Sequence, residues 1–156
     1  MTSRNAAIAE ALKAKLNELA ADSPADFGGG FVAKRTYVPG VDLRDFKTLV
    51  VTVFARENER EFISRGHSRR DFVVDVGVQK RLTTAANPTA EDANPEIDAL
   101  MGLAEAVADA VPAGWYAGAT GAQLVRVQHD PTVEPAHLLQ HRTFTNVVKF
   151  TFRLNA

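Results

Sequence analysis

The chain contains no cysteine, which excludes disulfide bridges and thiolate chemistry and suits a reducing compartment. No apolar stretch approaches the roughly 20 residues that a membrane-spanning helix needs. The opening M-T-S-R-N-A-A-I has no apolar core after Arg4, so it does not read as a signal peptide. The expectation is a soluble protein made in the cytoplasm. An excess of charge is missing too: the formal net charge is -1, which demands neither nucleic acid, an anionic membrane nor a polyanionic partner. There is no internal repeat and no low-complexity segment. The glycine run Gly28-Gly29-Gly30 is followed by F-V-A-K-R, without the Lys and Ser/Thr of a phosphate-binding loop. It reads as a hinge or a strand-entry turn.

What is present is ordinary globular material. A hydrophobic fraction of 46% in 156 residues is enough for one domain with its own core. The richest stretch lies near the end, H-R-T-F-T-N-V-V-K-F-T-F-R-L. Phe144, Val148, Phe150 and Phe152, with Asn146, share one parity, and Thr143, Thr145, Val147, Lys149 and Thr151 share the other. That period of two in strand-favouring residues predicts a long strand with one buried face. Asp130-Pro131 before it makes a turn, and residues 134 to 140 fit one or two helical turns.

Taken from the start, Ile8, Leu12, Leu16 and Leu19 predict an amphipathic helix over residues 5 to 21, capped by Ser3 or Thr2 and ended by Asp22-Ser23-Pro24. Residues 31 to 38 read as a strand ended by Pro39-Gly40. In V-D-L-R-D-F, Leu43 and Phe46 are expected at the core edge. Residues 47 to 55 and 72 to 82 are β-branched strands. Residues 56 to 71 between them carry too many charges for a core and read as a long hairpin arm, with acids before the turn and arginines after it. An extended hairpin is marginal alone, so a partner would help to order it. After a polar loop around Asn87-Pro88, Asn94-Pro95-Glu96 opens a second helix with Asn94 as its cap. Ile97, Leu100, Met101, Ala104, Val107, Ala108 and Val111 mark its apolar stripe up to Pro112. A loop holds Trp115 and Tyr116, and residues 122 to 128 form a short strand. The order predicts an α+β single domain, residues 1 to 156. Its sheet is largely antiparallel or mixed, with both long helices on one face and the arm protruding.

Few residues are placed to carry chemistry. Glu134, His137 and His141 are spaced to share one side of a helix and could form a metal half-site, but no further ligand stands near in sequence. There is no nucleophile elbow, and the acid pairs Asp42/Asp45 and Glu91/Asp92 have no visible pocket. Arg65, Arg69 and Arg70 make a local basic knot that lacks interleaved aromatics and is offset by Glu57, Glu59, Glu61 and Asp71. No catalytic, cofactor-binding or metal residue is assigned, and no cofactor is expected.

In order and texture the chain resembles the tail terminator, or tail completion, proteins of long-tailed bacteriophages. The resemblance runs through Arg35-Thr36-Tyr37-Val38-Pro39, then Asp42, Leu43, Asp45 and Phe46, then a V-x-V strand with a charged arm. It continues at Pro95-Glu96-Ile97-Asp98 and Leu103-Ala104-Glu105. It closes with Asp130-Pro131, residues 134 to 138, Phe144-Thr145-Asn146-Val147-Val148 and Phe152-Arg153. None of these is a strict motif. The resemblance implies a non-enzymatic α+β virion protein that forms a homo-oligomeric ring, six-fold in that family, on the finished tail tube. Such a ring stops tube polymerisation and joins the tail to the head connector. The implied partners are the major tail tube protein, the head-tail connector or adaptor protein, and DNA in the lumen touched without sequence preference. No membrane is involved, and the implied place is the virion tail or neck, assembled in host cytoplasm. A related neck or head-tail joining protein would carry the same texture. A small α+β metal-dependent enzyme and a monomeric adaptor module are the rival readings. A ring contact joins unlike patches on successive copies, so it needs two complementary surfaces. Glu59, Glu61, Arg65, Arg69 and Arg70 are the residues expected at subunit or tube contacts.

Overall fold

A computed structural model describes residues 3–37, 48–83, 91–130 and 132–155. Five strands form one sheet in the order β1-β2-β3-β5-β4, with three α-helices against it. The strands are β1 (Lys34–Arg35), β2 (Val50–Ser64), β3 (His67–Arg81), β4 (Gln123–His129) and β5 (Thr143–Asn155). The helices are α1 (Arg4–Asp22), α2 (Asn94–Asp109) and α3 (Pro135–His141). The β1–β2 pair is parallel and the others are antiparallel, so the sheet is mixed and the fold is α+β.

The expected alternation decides which face is covered. Phe72, Val74, Val76 and Val78 of β3 lie opposite Phe152, Phe150, Val148 and Asn146 of β5. The apolar members of that set join one core with Val51 and Val53 of β2 and Leu124 of β4. The same core takes Ile8, Leu12 and Leu16 of α1 and Leu100, Leu103, Ala104 and Val107 of α2. Both long helices therefore cover one face. Ser3 caps α1 by accepting a hydrogen bond from the Ala6 amide at 3.4 Å. Trp115 closes the far end, its ring meeting Phe152 edge-on at 6.1 Å.

Several elements depart from the sequence expectation. Of residues 31 to 38, only Lys34–Arg35 joins the sheet among the described residues. The cause lies in α1: the Asn17 side-chain amide accepts from the Ala33 N–H at 2.6 Å and donates to the Ala33 carbonyl at 3.2 Å. Both backbone groups of Ala33 are thus spent on the helix. At the start of α2, Ala93 and not Asn94 occupies the cap position. A 3-10 turn over Glu91–Ala93 runs straight into the helix, and no side chain caps it. Glu96 ties α2 to the end of β3 instead, accepting from the Thr83 N–H at 3.0 Å and lying 3.6 Å from Lys80. Leu103, absent from the predicted stripe, is buried, whereas Ile97 and Met101 are only partly so. The Pro39-Gly40 strand end, the loop with Asp42, Leu43, Asp45 and Phe46, the Asn87-Pro88 loop and Pro131 lie outside the described residues.

Beyond β4, the flank of β5 is sealed by the segment leading into α3. The Asp130 N–H donates to the Val147 carbonyl at 2.8 Å and the Glu134 N–H to the Thr145 carbonyl at 3.0 Å. Backbone groups that would template another strand are satisfied there by the chain itself.

Candidate assembly interface

The arm is the continuous far half of β2 and β3, turned at Arg65-Gly66. Gly66 takes a φ of +88°, which a side chain would strain. From Glu57 to Ser64 every β2 residue is exposed, including Phe62 at 72% and Ile63 at 60%. Large apolar side chains this open at a ribbon tip have no role in the core of the monomer. An open groove of about 410 Å³ runs beside the tip, lined by Ile63, Ser64, His67, Ser68 and Asn155.

The arm is not a free two-stranded ribbon throughout. β5 stays paired with β3 out to Asn155 opposite Arg69, so three strands support it to that point. Only the segment beyond Arg69 projects as a bare hairpin.

Two bulges in β2 set the arm's register. One falls between Ala55 and Glu57, the other between Phe62 and Ser64. A bulge adds one unpaired residue and shifts every later pair by one place. The pairs become Glu61 with Arg69, Arg60 with Arg70, Glu59 with Asp71 and Asn58 with Phe72. Directly opposed residues share a face and successive residues alternate. Because Phe72 belongs to the helix-covered face, Arg60 and Arg70 lie on that side. Glu57, Glu59, Glu61, Arg69 and Asp71 lie on the other. Acids precede the turn and arginines follow it along the chain, while across the ribbon the acids share one face with Arg69 and the other face carries Arg60 and Arg70.

On the face opposite the two long helices, Glu61 and Arg69 are ion-paired with each other. Arg153 of β5 grips Asp71 with two hydrogen bonds, Nε to Oδ1 at 2.9 Å and Nη2 to Oδ2 at 3.1 Å. That contact holds the Asp71 carboxyl below the usual carboxylate range. Glu59 has no ion-pair partner among the described residues. On the helix side, Arg60 lies 4.6 Å over the Phe62 ring, and Arg70 stands directly opposite Arg60. Arg65 sits in the turn. The five expected contact residues thus lie on the arm but divide between two faces, and two of them are spent on each other.

Sequence reading missed Arg4, Arg60, Arg153 and Asp75. Asp75 of β3, on the face opposite the two long helices, is only 3% exposed. Arg56 Nη1 reaches its Oδ2 at 3.4 Å, while its Oδ1 has no hydrogen-bond partner. Burial pushes its carboxyl above the ordinary range against the pull of Arg56 and Lys149. A charged residue inside an otherwise apolar V-V-D-V-G-V run was the available signal.

Two members of the half-site of Glu134, His137 and His141 are otherwise employed. Glu134 caps α3 through the Ala136 N–H at 3.2 Å, and His137 Nδ1 lies 2.7 Å from Thr145 Oγ1. Among the described residues no three His, Cys, Asp or Glu side chains gather as a metal site.

No family model and no curated protein matches the chain. Among solved structures it is similar to a chain of the "Virion of native gene transfer agent (GTA) particle". The identity is 14% and the TM-score 0.49, over 99% of this chain and 96% of that one.

Proposed function

We propose that this chain is a structural virion protein whose copies form a ring, six-fold by its resemblance to tail terminators. The ring caps the tail tube, ends its polymerisation and offers its other side to the head connector. The observation that carries the reading is the arm: a strand pair supported by β5 that projects Phe62 and Ile63 into solvent and presents unlike charge on its two faces. A ring of identical subunits needs a patch that meets a different patch on the next copy, and such an arm supplies both. The sheet behind it is held by a continuous core, so the arm's base is fixed relative to the body.

The test is tube growth. Purified tube protein polymerised with this chain should give short tubes bearing a ring of density at one end in electron micrographs. Tubes of unchanged length with bare ends, and a protein that keeps the mass of a single chain throughout, refute the proposal.

A further inference from the structure

We infer that neighbouring copies join through the two faces of the arm, the arginine face of one docking on the acidic face of the next. This rests on the ring reading above and names its contact. Each face leaves charge without a partner among the described residues. On the helix side Arg60 stands directly opposite Arg70, and Arg4, in the first turn of α1, lines the same small hollow with Ser68 and Leu154. None of the three arginines has an ion-pair partner among the described residues. Arg4 also faces the positive end of its own helix, where a cation is unfavourable and no acid offsets it. On the other side Glu59 stands directly opposite Asp71, one register place away. Like charges directly opposed on a sheet destabilise it. Arg153 already offsets Asp71, so the unrelieved pair is Arg60 with Arg70, and Glu59 is the acid left without an ion-pair partner among the described residues.

Stacking the first face on the second face of another copy brings the Glu59 carboxylate to the unpaired guanidinium groups, relieving the arginine pair and giving Glu59 a partner. Faces of the same sign repel, so the contact joins only unlike faces, as a head-to-tail ring requires. The occupant is a second copy of this chain. A phosphodiester is the competing ligand for three arginines. The acidic reverse face favours the protein partner, since duplex DNA gains nothing from it and is repelled by it.

The experiment uses two charge-reversed proteins, Arg60→Glu with Arg70→Glu, and Glu57→Lys with Glu59→Lys. Mass in dilute salt is measured alone and with assembled tube protein, and circular dichroism checks that each variant folds. Wild type should assemble and each variant should fall to the mass of one chain. An equal mixture of the two variants should recover the assembly, because every contact is again between opposite signs. Variants that assemble like wild type, or a mixture that stays monomeric, overturn this contact while leaving the ring standing. A wild type that never assembles, even on tubes, removes the ring and the contact together. If the arginine reversal abolishes a duplex-DNA mobility shift but leaves the mass unchanged, the face binds phosphate and the inference is overturned.

Discussion

Phe150 gives the sharpest check on the sheet. It lies fully buried in β5, in register with Val74 of β3 on one side and Val127 of β4 on the other. Both long helices cover that face. Phe150→Ala removes the ring and leaves a cavity that helices pinned at many other points cannot close. Such truncations cost about 3–5 kcal/mol. For 156 residues the entropy of unfolding is roughly 0.33 kcal/mol/K, so Tm should fall by about 9–15 °C. The next residue is the control. Thr151 points to the face opposite the two long helices and is partly exposed, and Thr151→Ala should cost under about 1 kcal/mol, or less than about 3 °C. Calorimetry over a range of protein concentrations separates unfolding from dissociation. Comparable losses for the two variants would refute the facing of β5, because a one-residue slip exchanges every side chain between the faces.

Three further outcomes follow from the charges. Asp75 has a folded pKa raised by burial, so its contribution to stability falls as pH climbs from the ordinary value of 3.8 through the folded one. Urea melts of Asp75→Asn should therefore gain on wild type as pH rises toward 7, a gain that vanishes below 3.8. A difference that does not change with pH contradicts this. Asp71 is the opposite case: Arg153 depresses its folded pKa, so its stabilisation is present above 3.8 and lost as pH falls through the folded value. Arg153→Ala should cost about 0.2–1 kcal/mol at pH 7, in keeping with a partly exposed pair, and progressively less in acid. Arg60→Glu should stabilise the monomer by about 0.2–1 kcal/mol by ending the clash with Arg70. The gain should shrink in 1 M salt, where screening is nearly complete.

The helices, the order of elements and the buried parity of β5 were legible because each rests on a local period: Ile8, Leu12 and Leu16 at helical spacing, Phe144 to Phe152 at a spacing of two. Partner-dependent features were not. Lys34–Arg35 is short because Asn17, far away in sequence, claims the backbone of Ala33. Asn94-Pro95-Glu96 has the composition of a helix start, yet the preceding 3-10 turn displaces the cap and Glu96 is drawn to Thr83. The arm shows the limit best. Folding residues 56 to 71 about Arg65-Gly66 without a bulge pairs Glu61 with Arg70. The extra residue between Phe62 and Ser64 moves Glu61 onto Arg69 and leaves Arg70 against Arg60. Nothing in an alternation of charged residues announces that one place is skipped.

If the arm is the interface proposed above, the same register preforms it before any partner arrives. A two-stranded ribbon in water is marginal, and an arm of that kind would have to order on docking at the expense of affinity. Here β5 runs alongside β3 as far as Arg69, so Arg70, Asp71 and their opposite numbers Arg60 and Glu59 sit on a three-stranded platform anchored by Phe72 and Phe152 in the core. Their spacing is set by backbone pairing before contact. The exposed Phe62 and Ile63 lie beyond that platform, where only the hairpin holds them, and are free to adapt to the surface they meet. On the proposed contact, the charges stand on the three-stranded part and the exposed apolar side chains on the bare tip. Shortening β5 at Asn155 should therefore loosen the pairing at Arg69 and, if the proposed contact holds, lower the assembled mass relative to wild type in the same dilute-salt measurement.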